Sequence, residues 1–133
     1  MWRVMPMPEA MGLTCAEVTL IGPEGRRASM QLLVDSGATF SVIPREVAAD
    51  LGVRPQGERR FELANGEVVT RPMGQLEVEF EGHRTWTKVV LGEPRDKKLL
   101  GAYTLEGLEL RLDPVRRELR PVEAHSLMAQ AES

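Results

Sequence analysis

Apolar residues in this chain recur in short runs, mostly at every second position, and turn-forming residues separate the runs. In residues 13–21, Ala16, Val18 and Leu20 alternate with polar side chains, so they share one face of an extended chain. Residues 28–34 instead end in three consecutive apolar residues, which indicates a strand buried on both faces. Short strands with this spacing predict an all-β fold, a small barrel or sandwich.

Two segments break the alternation and predict short helices. The first opens at Pro44, which suits a first helical position, and is expected to end at Leu51 with Gly52 just beyond. The second covers residues 102–106, with Gly107 as its stop. The expected fold is therefore β-rich with one or two short helices.

Turn signals predict where the strands fold back into hairpins. Asn65-Gly66 stands between two apolar runs and predicts a two-residue turn in which both positions have positive φ. A second turn is expected at Gly82-His83, between two alternating strands. A last strand is expected over residues 117–122.

Composition limits the size and the class of the protein. A chain of 133 residues and 14.8 kDa forms one domain and cannot form two lobes. The net charge of -3 and the interleaving of basic with acidic residues argue against nucleic acid or an anionic membrane as a partner. One cysteine and two distant histidines exclude a disulfide framework and a structural zinc site within one chain, and no metal or cofactor is expected.

The two ends of the chain carry no motif. We expect residues 1–12 to form an N-terminal arm, residues 13–122 the folded domain and residues 123–133 a C-terminal tail. The N-terminus lacks the basic start and apolar run of a signal peptide, and no stretch approaches the roughly 20 apolar residues of a membrane span. A cytoplasmic location is therefore expected.

The chain holds four aspartates, and one of them stands where a carboxyl group is costly. The other three fall in a helix, a charged loop and a turn: Asp50, Asp96 and Asp113. Asp35 follows a fully apolar strand end, where a carboxylate needs hydrogen-bond partners. The three residues that follow suit a buried but accessible carboxyl group. The Ser36 hydroxyl can hydrogen-bond to it, Gly37 allows another backbone segment to come close, and the small side chain of Ala38 leaves space beside it. The competing interpretation is an exposed Asp-Ser-Gly turn, which is common by chance.

A second apolar strand end supports the functional interpretation. Leu99-Leu100-Gly101 runs directly into the second predicted helix. The segments LLVDSGATFSVIP (residues 32–44) and LLGAYTLEGLELRLD (residues 99–113) resemble the two signatures of retropepsin-like (clan AA) aspartic proteases. The hairpin at Ala64-Asn65-Gly66 lies where that family has its flap. The resemblance covers residues 13–122 and is to the small, single-domain prokaryotic type.

The resemblance implies a closed β-barrel of the retropepsin-like acid protease fold, with Asp35 as the catalytic acid. In that fold Ser36 would hydrogen-bond across a dimer, and Gly37 would meet the substrate through its backbone. Leu100 and Gly101 would support the loop that bears Asp35. The implied supporting positions are Ser36, Gly37, Ala38, Leu100 and Gly101.

The same resemblance implies a flap and a substrate pocket. The flap tip would consist of Leu63, Ala64, Asn65 and Gly66. Val42, Leu63 and Leu99 are candidates for apolar pocket walls, against the alternative that they are core residues.

Two features depart from the viral enzymes of the family. In the viral enzymes an acidic and a basic residue form a pair, and Thr39 and Ala102 stand at those positions here. Any contribution of that pair to the viral dimer must therefore come from other residues in this chain. The flap also lacks the viral glycine-rich tip.

One active-site carboxyl per chain sets the mechanism. Aspartic proteolysis needs two carboxyls that share one proton, and no second Asp-Ser-Gly or Asp-Thr-Gly occurs in this sequence. The expected function is therefore an aspartic endopeptidase that acts on peptide or protein substrates as a homodimer, with Asp35 facing its symmetry mate.

Alternative functions remain open at this stage. A serine hydrolase is not indicated, because the sequence has no Gly-x-Ser-x-Gly nucleophile elbow and His83 is expected at the surface. Cys15 has no histidine near it in the sequence, so we interpret it as a small core or interface residue rather than a nucleophile. The main alternative is a non-catalytic dimeric module with the same fold, which binds peptides or acts as a scaffold. An unrelated monomeric β-barrel is a third.

Overall fold

The computed structural model describes residues 5–6 and 14–123. Most of the expected N-terminal arm and C-terminal tail lies outside these residues. The strands are β1 (Met5–Pro6), β2 (Thr14–Ile21), β3 (Arg27–Val34), β4 (Ser41–Pro44), β5 (Glu58–Glu62), β6 (Val68–Phe80), β7 (His83–Gly92), β8 (Leu99–Leu100), β9 (Leu110–Asp113) and β10 (Glu118–Pro121). The helices are α1 (Arg45–Asp50) and α2 (Ala102–Gly107).

Eight of the described strands form one sheet in the order β1-β2-β3-β8-β4-β7-β6-β5. The sheet closes on itself, because β2 also pairs with β6 where residues 19–21 lie antiparallel to residues 77–79. The ring therefore runs through β2, β3, β8, β4, β7 and β6, and β9 and β10 form a separate hairpin. The prediction of an all-β fold with two short helices is confirmed.

The core lies inside the ring, where alternate positions of its strands point inward. Leu20, Leu32, Ile43 and Leu76 are fully buried there, each from a different strand. Leu119 of the β9–β10 hairpin is also fully buried and packs against the same cluster. Each such side chain stabilises the fold by about 1.5–3 kcal/mol relative to an exposed position.

Helix α1 begins one residue later than expected. Pro44 ends β4 and precedes the helix as its N-cap, because its φ of -57° is combined with an extended ψ of 132°. The helix ends at Asp50, and Gly52 then adopts a φ of +82° so that the Val53 N–H can bond back to the Ala48 carbonyl at 2.9 Å. Neither helix in the described part of the chain is long and apolar enough to cross a membrane.

Both hairpin turns differ from the prediction, the first in type and the second in position. At the tip between β5 and β6 only Gly66 has a positive φ, +88°, and the Leu63 N–H bonds to the Glu67 carbonyl at 2.7 Å. This is a three-residue loop with a glycine bulge rather than the two-residue turn predicted at Asn65-Gly66. The second turn lies one residue earlier than predicted, since positive φ falls on Glu81 and Gly82 and leaves His83 in β7.

Gly107 does not stop α2 in the way the sequence suggested. It lies inside the helix, and the left-handed conformation falls instead on Glu109, at a φ of +58°. The reason for glycine is a close approach to β7, because an added Cβ would clash with Thr85 Oγ1 and lie 3.1 Å from Thr85 Cβ. Gly107 therefore sets the distance between α2 and the wall of the ring.

Gly107→Ala is expected to destabilise the protein by about 1–2 kcal/mol. Overpacking costs about 1–3 kcal/mol, which exceeds the gain of up to about 1 kcal/mol from replacing glycine by alanine in a helix. Urea unfolding measures the change. The double variant Gly107→Ala, Thr85→Ala should recover most of the loss. If the single variant is as stable as wild type, the close contact does not constrain this packing.

Candidate active site

Asp35 lies directly after β3 and opens a tight turn. Its backbone N–H donates to the Leu100 carbonyl at 3.0 Å, and its carbonyl accepts from the Ala38 N–H at 3.1 Å. Asp35 is half-buried as a residue, and its Oδ1 accepts the Gly37 N–H at 3.0 Å. Among the described residues, the hydrogen-bond donor to the Asp35 carboxylate is therefore the Gly37 N–H and not the Ser36 hydroxyl that the sequence suggested. Ser36 and Gly37 are exposed on the surface of the single chain.

Strand β8 holds this turn in place from within the sheet. It runs parallel to β3, with Val34 opposite Leu100, and antiparallel to β4, with Val42 opposite Leu99. The two strands that flank the Asp35 turn are thus separated by a third strand that pairs with both. Because the hydrogen bonds of β8 are satisfied on each side, the Asp35 backbone is fixed relative to both strands.

Gly101 is the point where the two signature segments meet. A Cβ on it would lie 2.6 Å from the Phe40 carbonyl carbon and 2.9 Å from the Ala38 oxygen, and backbone cannot move aside as a flexible side chain can. The two residues after Gly101 stay in contact with the same loop, because the Ala102 N–H donates to Ala38 O at 2.7 Å and the Tyr103 N–H donates to Thr39 O at 2.9 Å. Only glycine fits at residue 101 without displacing the loop that bears Asp35.

Backbone contacts join the segments at the two positions where the sequence departs from the viral pattern. Thr39 and Ala102, the two replaced positions, are joined to the opposite segment through main-chain hydrogen bonds. Beside them the rings of Phe40 and Tyr103 lie 5.9 Å apart between centroids, tilted by 60°. Neutral contacts therefore link the two signature segments within one chain.

A cluster of three buried hydroxyls lies beneath the site. Ser41 Oγ is 2.6 Å from Thr104 Oγ1, which is 3.0 Å from Thr87 Oγ1. The Ser41 oxygen also accepts the Gly101 N–H at 2.9 Å. The cluster ties β4, β7 and α2 together at one point. Sequence analysis missed it, because no local pattern marks hydroxyls from three separate elements as neighbours.

A cavity of about 490 Å³ lies between the Asp35 loop and the hairpin of β5 and β6. Val42, Leu63 and Leu99, the three predicted wall residues, all line it, and so does Ala38. Asp35 itself is not among its lining residues. The other lining residues are Thr39, Phe40, Arg59, Arg60, Phe61, Glu62, Val69, Arg71, Val90, Asp96 and Lys97.

Arg71 and Asp96 form a two-pronged ion pair at the edge of this cavity. Arg71 Nε donates to Asp96 Oδ2 at 2.7 Å and Nη2 to Oδ1 at 3.0 Å, and the side chains are only 10% and 19% exposed. The hydrogen bond from Arg71 holds the pKa of Asp96 below its usual range, with a further contribution from the Glu93 N–H. Asp96, expected to be an ordinary loop residue, therefore anchors its loop to β6.

The other two polar candidates have environments that suit structural roles. Burial raises the pKa of the Cys15 thiol, which does not suit a nucleophile. His83 Nδ1 lies 2.9 Å from the Leu108 carbonyl and fastens β7 to the residue after α2. The described residues contain no group of three or more His, Cys, Asp or Glu side chains that could hold a metal ion.

The sequence profile of aspartyl proteases matches residues 16–103, well over half of the chain. This chain belongs to the aspartyl protease family. The matched segment contains both Asp35-Ser36-Gly37 and Leu99-Leu100-Gly101, which the structure brings together through β8. The retropepsin-like identification made from the two motifs is confirmed.

The solved structures that this chain resembles include a viral enzyme. The solution structure of simian foamy virus (mac) protease is 21% identical, with a TM-score of 0.49, over 69% of this chain and 91% of that one. No curated protein matches the sequence. The assignment to the aspartyl protease family rests on the sequence match.

Asp96→Asn is expected to lower the free energy of unfolding by about 2–4 kcal/mol at pH 7, because it leaves the charge of Arg71 without its partner. Since the folded-state pKa of Asp96 is lowered, its contribution is complete above the unfolded pKa of about 3.9 and is lost as the pH falls through the folded value. The gap between variant and wild type should therefore narrow below about pH 4.

Urea unfolding from pH 7 to pH 3 measures this gap, with exposed Glu17→Gln as the control for loss of a carboxylate. A gap that stays constant over that range would contradict the assigned role of the ion pair.

Proposed function

We propose that this member of the aspartyl protease family is an endopeptidase that hydrolyses peptide bonds as a homodimer. The observation that carries the proposal is the Asp35 carboxylate, held at a strand end by the Gly37 N–H and by main-chain bonds to β8, with exposed residues beside it. Such a group is fixed by the backbone and open on one side. A second carboxyl can approach it from that side.

The second carboxyl would come from another copy of the chain. The sequence contains no further Asp-Ser-Gly or Asp-Thr-Gly, so one chain supplies one half of an aspartic site. A two-fold axis beside Ser36 and Gly37 would place two Asp35 carboxyls face to face. Two carboxyls about 3 Å apart cannot both ionise, so the pair would hold one proton and titrate as a unit.

Water would be the nucleophile. The ionised Asp35 takes a proton from a water held between the pair, and that water attacks the carbonyl carbon of the scissile peptide. The protonated Asp35 of the other chain donates a hydrogen bond to the carbonyl oxygen. The tetrahedral intermediate collapses when a proton passes to the leaving nitrogen, and the carboxyl pair regains its single proton. No covalent intermediate forms.

The hairpin of β5 and β6 would act as the flap. Its tip consists of Leu63, Ala64, Asn65 and Gly66, and its base borders the cavity that begins at Ala38. An extended peptide between the flap and the Asp35 loop would bind as an added strand, with alternate side chains entering pockets. Val42 and Leu99 would form the floor of one pocket.

Asp35→Asn is expected to reduce peptide cleavage at least about 100-fold, because the general base is lost while the shape of the side chain is kept. Cleavage of a mixed peptide library, read by mass spectrometry, measures it. Asp50→Asn, an exposed aspartate at the end of α1, is the matched control and should cleave like wild type. A wild-type protein that binds peptides without cutting them would favour the non-catalytic module instead.

Mixing the two proteins tests whether one site needs two chains. When wild type is allowed to exchange subunits with an equal amount of Asp35→Asn at constant total concentration, activity should fall to about a quarter, since only dimers of two wild-type chains are active. Activity of one half would mean that each chain works alone. Mixing with Asp50→Asn should leave the activity unchanged.

A further inference from the structure

The cavity beneath the flap carries more positive than negative charge. Its charged lining residues are Arg59, Arg60, Arg71 and Lys97 against Glu62 and Asp96. Arg71 and Asp96 cancel one another through their two hydrogen bonds. What remains is three cations and one anion around a floor that is mainly apolar.

The faces of β5 decide which of these charges act on the cavity. Within β5, Arg59 and Phe61 alternate with Arg60 and Glu62, so the two sets of side chains extend from opposite faces of the hairpin. The guanidinium of Arg59 lies 5.1 Å from the centre of the Phe40 ring, which places its side chain on the cavity side. Arg60 and Glu62 belong to the segment that lines the cavity, but their side chains extend from the other face of β5 and are opposite in charge, so Arg59 is the β5 cation whose charge acts on the cavity.

Arg59 stands directly opposite a like charge. It pairs in register with Arg71 on β6, and two cations facing each other across strands are destabilising. Asp96 neutralises Arg71, whereas Arg59 makes no ion pair among the described residues and is exposed above Phe40. Its position is favourable for an incoming anion, because Phe40 already orients the guanidinium.

Lys97 brings a second unpaired cation to the same cavity from the other side. It follows Asp96, which is fixed to Arg71, so the backbone at residue 97 is held near the rim. Lys97 forms no ion pair within the described chain and is exposed. Arg59 on the flap base and Lys97 on the loop before β8 therefore flank an opening whose floor is Val42 and Leu99.

We propose that this cavity binds a glutamate side chain of the substrate, with Arg59 and Lys97 as the residues that determine this specificity. The inference rests on the proposed function for its account of substrate binding. The methylene groups of glutamate would lie on Val42 and Leu99, and the carboxylate would meet both cations at the rim. A volume of about 490 Å³ holds one side chain with water around the carboxylate.

Glutamate is favoured over an apolar side chain by the balance of polar contacts. A large apolar side chain of the substrate would contact Val42 and Leu99 but would make no electrostatic interaction with Arg59 and Lys97. Glutamine has the same shape as glutamate without the charge, so the difference between the two measures the electrostatic contribution. Two partly exposed ion pairs correspond to a preference of roughly three- to tenfold.

The first experiment compares glutamate with glutamine in a mixed peptide library digested by the wild-type protein. Glutamate should be enriched about three- to tenfold over glutamine at one position near the cleavage site. The enrichment should fall towards one as the pH drops from 6 to 3.5, because the substrate carboxyl, with a pKa of about 4.3, becomes protonated. Equal cleavage of both at every position would overturn the proposal while leaving proteolysis established.

Charge reversal identifies the residues. The variant Arg59→Glu, Lys97→Glu should prefer lysine or arginine at that position, and Arg59→Gln, Lys97→Gln should show no preference between glutamate and glutamine. The matched control is Arg54→Glu, Lys88→Glu, which reverses two exposed cations outside this cavity and should keep the glutamate preference. Circular dichroism checks that each variant is folded. An unchanged preference in the folded glutamine variant would overturn the assignment.

Binding separates this proposal from the catalytic one. The Asp35→Asn protein, immobilised and incubated with the same synthetic library, should retain peptides enriched in glutamate over glutamine. If the wild type cuts nothing but this enrichment appears, the endopeptidase proposal fails and the specificity of the cavity stands. If peptides are retained or cut without preference for glutamate, the specificity proposal fails alone. If no peptide is retained or cut, both fail.

Discussion

The contact of Gly101 with the backbone of residues 38–40 positions the rest of the site. Carbonyl groups of Ala38 and Phe40 lie where any side chain at residue 101 would have to be, so the second signature segment is pressed directly against the first. The N–H groups that follow Gly101 then find partners in that loop, and Leu100 accepts the N–H of Asp35. The carboxylate is thereby held by main-chain geometry, which is stiffer than contacts between long side chains.

The polar groups in this contact are nearly all neutral. Ser41, Thr87 and Thr104 supply hydroxyls that hydrogen-bond to one another and to the Gly101 N–H, so this part of the support for the Asp35 loop is uncharged. This differs from the cavity edge, where Arg71 and Asp96 form a strong pair that needs both members to be ionised. The support for the carboxylate is therefore insensitive to pH, whereas the anchoring of the neighbouring loop is not.

Sequence reasoning located Asp35 and Leu99-Leu100-Gly101 because each is marked by its own local pattern, an apolar strand end followed by small residues. It also placed most of the strands along the chain, since alternation is a local property, but not their order in the sheet, which depends on contacts between distant segments. It could not find the bond between Arg71 and Asp96, because each residue looks like an ordinary surface charge until the ring closes. The prediction that Gly107 ends the helix was wrong, because the close contact between α2 and Thr85 of β7 that requires glycine there is not visible in the sequence around residue 107.

Strand β6 takes part in both the β5–β6 hairpin and the wall of the ring. Residues 68–72 pair with β5 in the hairpin that borders the cavity, while residues 73–80 pair with β7 in the wall of the ring. The change of partner falls at Pro72 and Met73, next to the residue that Asp96 holds. The hairpin and the wall of the ring therefore share one continuous strand, and the Arg71–Asp96 ion pair joins that strand to the loop before β8 just where its pairing partner changes. A rigid connection thus runs from the β5–β6 hairpin through the core strand to the segment that leads into Leu99-Leu100-Gly101.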